Sequence, residues 1–109
     1  MRQAAVYHNG ELAGYLTEAD RRQYEFRYDD SWFINANKPA ISLTLPKSQQ
    51  VHQSDTLFPF FASLLSEGVN RRLQSNLLHI DEADSFGLLL ATAQSDTIGA
   101  ITVRPLSAL

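Results

Sequence analysis

The chain has 109 residues, 44% of them hydrophobic, a formal net charge of −3 at pH 7 and no cysteine, which suits one domain, 1–109, with one ordinary core. This balance excludes disulfides and thiolate chemistry, and it supplies no basic excess to neutralise nucleic-acid phosphates. The start, MRQAAVYHNGEL, lacks a signal-peptide apolar core, and no stretch approaches the roughly 20 apolar residues of a membrane span, so the expectation is a cytoplasmic protein without membrane or direct nucleic-acid contact.

Residues 2–8 (RQAAVYH) predict a strand. Asn9-Gly10 follows, a pair suited to the positive φ that a type I′ hairpin turn needs at both centres. A second strand over about 11–17 pairs back, with Gly14 marking a bulge. Glu18–Gln23 forms a charged turn. Tyr24, Phe26 and Tyr28 then alternate with Glu25, Arg27 and Asp29, predicting a strand with one aromatic face. Asp30 to Pro39 is irregular, with Asp30 or Ser31 capping one short helical turn. Ile41, Leu43 and Leu45 alternate with Ser42 and Thr44, which predicts a fourth strand stopped by Pro46, and Lys47–Ser54 is a polar loop.

From about Leu57 the period becomes helical. Thr56 serves as N-cap, Pro59 falls in the first turn, and Gly68 ends the helix as its C′ glycine. Val69, Leu73 and Leu77 recur every four residues and predict a second helix with Arg71 and Arg72 outward. Asp81 caps a third, with Asp84 as its capping partner and Phe86, Leu89, Leu90 and Ala93 as its apolar stripe. Ile98–Arg104 is a closing strand ended by Pro105. Strands grouped ahead of helices predict an α+β fold: a mostly antiparallel sheet of about five strands with two or three helices on one face.

Catalytic chemistry finds no foothold in these residues. His8, His52 and His79 lack metal-ligand spacing, so no metal is expected. Asp29-Asp30 and the acids of 81–84 sit at element boundaries, where capping and solvated turns account for them. Gly10–Gly14 (GELAG) opens a strand rather than a helix and carries no following Lys-Ser/Thr, which rules out a phosphate loop. No serine lies in a G-x-S-x-G elbow. Trp32 and the Tyr24/Phe26/Tyr28 face suit the core. The pairs Arg21-Arg22 and Arg71-Arg72 suit a solvated face, or an interface, where arginine is enriched.

Five motifs occur in a characteristic order across about residues 5–105. They are Asn9-Gly10 with Gly14-Tyr15-Leu16; Phe26-Arg27-Tyr28 through Trp32; Ser42-Leu43-Thr44-Leu45-Pro46; Phe60-Phe61 through Leu64-Leu65-Ser66-Glu67-Gly68; and Phe86-Gly87-Leu88-Leu89 with Gly99-Ala100 through Pro105. This order resembles the N-terminal subdomain of HipA-type toxin kinases, with Ser66 where that family usually has proline. The kinase signatures themselves are absent from the sequence: no nucleotide-binding lysine strand, catalytic aspartate loop or metal-binding aspartate motif.

With the chain ending at Leu109, the resemblance implies a stand-alone, HipS-like antitoxin of a tripartite HipBST-type system. It implies binding in trans to a HipT-like Ser/Thr kinase, which it neutralises, and a HipB-like helix-turn-helix protein that supplies DNA contact. It implies no cofactor and no catalysis by this chain. The alternative is an N-terminal structural subdomain of a single-chain HipA-type kinase. The expected kinase-binding surface is the tip of the first long helix, Ser63, Leu64, Leu65, Ser66, Glu67 and Gly68, with Arg71 and Arg72 reaching carboxylates on the kinase. Phe58 and Phe61, with Leu57 and Leu64, face the home core at helical spacing, leaving Leu65 as the apolar knob for the partner.

Overall fold

Asn9 and Gly10 take φ values of 52° and 80°, so the first turn carries the twist that folds strand β2 (Glu11–Asp20) back on β1 (Arg2–His8). The computed structural model describes residues 2–20, 23–65, 68–81, 83–92 and 101–106, with backbone alone at 20, 68–71, 74 and 92. Val6 pairs with Gly14 and Tyr7 with Leu12, which leaves Ala13 as the extra residue of a bulge beside the glycine. A side chain at Gly14 would stand 2.5 Å from the Arg27 carbonyl oxygen and 2.7 Å from the Phe26 ring. The bare glycine therefore lets β3 (Gln23–Tyr28) lie close. The expected charged turn is mostly strand, because Thr17, Glu18 and Asp20 pair with Glu25, Tyr24 and Gln23.

Adding β4 (Val51–Ser54) and β5 (Ile101–Pro105) gives an antiparallel sheet of order β4-β3-β2-β1-β5. Its register aligns Ala4, Leu16, Phe26 and His52 in one row, and Val103, Val6, Gly14 and Tyr28 in the next. This face joins Trp32, Phe61, Phe86, Leu88 and Leu89 in the core. The reverse face shows Gln3, Arg27, Gln53 and Arg104 to solvent. The fold class is α+β, as the grouping of elements predicted.

The fourth strand is not where its alternation placed it. In residues 41–45 the Ser42 carbonyl accepts from Leu45 N at 3.1 Å and its hydroxyl accepts from Thr44 N at 3.2 Å, which closes a turn. Ile41 and Leu45 point inward and Leu43 is fully exposed. The Tyr28 hydroxyl holds this segment, donating to the Leu45 carbonyl and accepting from Ile41 N at 3.1 Å. The strand forms instead from the expected polar loop. At the sheet's edge, β4 turns its buried residue, His52, inward, where Nε2 meets the Pro46 carbonyl at 2.9 Å.

The helices also shift from their sequence-based boundaries. Asp29, not Asp30 or Ser31, caps α1 (Asp30–Ile34) by accepting from Ser31 N. Helix α2 is only Pro59–Ala62, with Phe58 at the N-cap and Pro59 at the position where a missing N–H costs nothing. Thr56 is no cap; its N–H is taken by the Ser54 hydroxyl. Gly68 begins α3 (Gly68–Leu78) rather than ending α2. Asp84, not Asp81, caps α4 (Ser85–Thr92), with Oδ1 accepting from Gly87 N at 3.0 Å, while Asp81 closes the preceding turn on Ala83 N. Phe86, Leu88 and Leu89 carry the α4 burial and Leu90 is half-buried; the expected Ala93 and 98–100 lie outside the described residues.

A charged seam fastens α4 to the sheet. Arg2 donates to both Asp84 carboxylate oxygens at 3.0 and 2.8 Å and to Glu18 at 2.8 Å, and its guanidinium lies 5.1 Å from the Phe86 ring centroid. Tyr24 completes the seam by donating to Glu18 at 3.0 Å. The Arg2 hydrogen bonds hold the Asp84 carboxyl below its ordinary range, against an opposing effect of burial.

Three outcomes follow from this packing. Gly14→Ala forces β3 away from β2 and lowers stability by about 1–3 kcal/mol in a denaturant titration. Leu65→Ala, at a position only 8% exposed, lowers it by about 2–5 kcal/mol. Asp84 contributes stability above its unfolded pKa and loses it as pH falls through the lower folded value. The melting-temperature gap between wild type and Asp84→Asn therefore closes as pH drops below the ordinary aspartate value of 3.8; a gap indifferent to pH would remove the seam from the account.

Candidate functional site

The expected tip lies where α2 runs out. After Ala62 the backbone tightens, with Leu64 N donating to Phe61 O and Leu65 N to Ala62 O, both at 3.1 Å. Ser63 is exposed and its hydroxyl donates to the Phe60 carbonyl at 2.6 Å. Leu64 is half-buried against the core beside the buried Phe58 and Phe61. Leu65 belongs to the core itself, which corrects its expected role as the leftover knob: the tightened turn directs it inward. Ser66 and Glu67 lie outside the described residues. Gly68 opens α3, Arg71 follows on the same helix, and Arg72 is exposed. The structure thus puts Ser63 and Arg72 at the surface on either side of the α2–α3 junction.

The apolar surface sits further along α3. Leu73, Leu77 and Leu78 are 53%, 78% and 43% exposed, whereas Ser75 is buried. At about 100° per residue, Leu73 and Leu77 flank the position diametrically opposite Ser75. Of the expected repeat Val69, Leu73 and Leu77, the two leucines face outward and not into the home core, and the Val69 side chain lies outside the described residues. Beyond Leu78, His79 takes φ 57° and Ile80 N donates back to the Ser75 carbonyl at 3.0 Å. This is a Schellman ending with histidine where glycine is usual. The Ser75 hydroxyl also donates to the Ile80 carbonyl. Period alone could not orient α3. The one available sign is Ser75, a small residue opposite the leucines, suited to close packing against α4.

Several other polar groups are occupied structurally. A groove of about 720 Å³ runs beside the seam, lined by Arg2, Glu18, Tyr24, Asp55, Asp81 and Asp84 among others. Burial, reinforced by Glu18, raises the Tyr24 phenol above its usual range, so it stays a neutral donor. His8 packs its ring 5.4 Å from Trp32. Among the described residues no three His, Cys, Asp or Glu side chains gather to hold a metal ion. None of their helices is long and apolar enough to cross a membrane.

A family model described as the HipA N-terminal domain matches residues 4–104. An uncharacterized protein of Haemophilus influenzae is 35% identical over 104 residues, which are 95% of this chain and 92% of that protein. A Sinorhizobium fredii protein described as a kinase, Y4mE, is 28% identical over 92% of this chain, yet the match spans only 24% of its own length. A solved N-terminal domain of HipA toxin superposes with a TM-score of 0.73 at 33% identity, covering 100% of this chain and 96% of that one. With the family model spanning residues 4–104 and the solved domain superposing over the whole chain, this chain belongs to the HipA N-terminal domain family.

Proposed function

We propose that this chain is a non-catalytic, HipS-like antitoxin that binds a separate HipA-type Ser/Thr kinase and neutralises it. The supporting observation is the Haemophilus relative, which is scarcely longer than the domain itself. The domain therefore has a relative of its own size as well as one in which it is a quarter of a kinase-named chain. In trans, the domain occupies the place that it holds covalently in the longer form. The kinase is HipT-like, and a HipB-like helix-turn-helix protein supplies the DNA contact that a chain of net charge −3 is poorly suited to make. The contact region includes the α2–α3 junction, Ser63, Leu64, Ser66, Glu67 and Gly68, with Arg71 and Arg72 offering bidentate donors to kinase carboxylates. Leu65 supports this region from within the core.

The rhizobial relative favours a second reading, in which the domain is a structural part of a single kinase chain. One assay separates the two. A HipA-type kinase lacking its own N-terminal domain is mixed with increasing amounts of this chain, and phosphate transfer is followed. The antitoxin reading expects activity to fall to background at equimolar chain. Activity that rises instead supports the structural role, and activity that does not change removes the antitoxin role.

A further inference from the structure

Among the described side chains of α3, Leu73 and Leu77 face away from the domain's core. The buried one among them is Ser75, while Leu73 and Leu77 occupy the opposite, solvent-facing side. A helix sustained only by its home core carries its leucines inward. Isolated exposed leucines are ordinary; two aligned one turn apart form a continuous apolar strip. We propose that this strip is an anchor of the domain on its kinase: Leu73 and Leu77 seat in an apolar, acid-rimmed groove of the kinase body. The inference rests on the reading above and names the surface that serves it.

Three observations favour a kinase body as occupant over a second copy of this chain. In the rhizobial relative the matched region is 24% of the protein, so the domain there has about three times its own length of attached chain to meet. The strip exposes at most a few hundred Å², well short of the roughly 800 Å² per partner of a standard interface. Two such strips packed together make a poor dimer, whereas a groove encloses a helix on several sides. The third is charge. The segment Gly68–Leu78 holds Arg71 and Arg72 and no acid, although the chain as a whole carries −3. Self-pairing crowds like charges into one small interface, and an acidic rim complements them.

The test is a binding titration of the full chain against a HipA-type kinase lacking its own N-terminal domain. Because Leu77 is 78% exposed, Leu77→Glu and Leu77→Ser keep the wild-type melting temperature. Each raises Kd by roughly tenfold to a hundredfold, the effect of losing one buried leucine. Leu73→Glu combined with Leu77→Glu raises it further, and Leu43→Glu, on the turn before β4, leaves it unchanged. Wild-type affinity in both Leu77 variants overturns the anchor while leaving the antitoxin reading intact. Absence of binding by the unsubstituted chain overturns both. Sedimentation that shows a dimer of the chain alone, dissociated by Leu77→Glu, gives the strip to a second copy and likewise overturns the proposal.

Discussion

The space left open at Gly14 organises most of this domain. With no side chain there, the Phe26 ring settles against β2, and Phe26 in turn meets Tyr28 edge-on at 4.8 Å and Phe61 at 5.6 Å between centroids. Phe61 adjoins Phe58 and Phe60, so the short α2 is moored through rings rather than through length. A helix of four residues has almost no intrinsic stability in water; its position is a property of the aromatic stack. On the other side of the stack, Tyr28 gathers the irregular segment after α1 by its hydroxyl. One absent side chain thus governs elements on both flanks of β3.

The helical layer is supported unevenly. Helix α4 is doubly fixed, by Phe86, Leu88 and Leu89 in the core and by the Arg2–Asp84 seam at its start. Gly87 gives the ion pair its seat, since a side chain there would overlap the Asp84 carboxylate. Helix α3 offers Ser75 to its neighbours and keeps leucines outside. Each leucine buried elsewhere is worth about 1.5–3 kcal/mol, so the isolated domain forgoes stabilisation along that side.

The chain's pattern made the first half of the fold legible and blurred the second. Asn9-Gly10, the Gly14 bulge and the alternation of Tyr24, Phe26 and Tyr28 each carry a local mechanism, and each holds. The segment 41–45 misleads because Ser42 can turn the backbone upon itself, which a period-two pattern cannot register. The true edge strand is hidden because only His52 faces the core from its centre. Gly68 misleads in another way: glycine is tolerated at a helix's start as well as favoured beyond its end. Exposure around the proposed contact region was not legible in the sequence. Sequence located the α2–α3 junction, but whether Leu65 or Leu77 faces solvent depends on tertiary packing, and the packing reversed the two.

The short edge strand has a consequence for how this domain can be recognised. A sheet with a long bare margin invites another chain to add a strand, with specific or aggregated results. Here one margin is four residues of β4, where the Gln49 side chain donates to the Val51 carbonyl at 2.8 Å. At the other, β5 closes on Pro105, which has no N–H to give. Neither margin provides much backbone template among the described residues. The sheet margins therefore suit recognition through side chains, which can be altered one at a time without rebuilding the sheet.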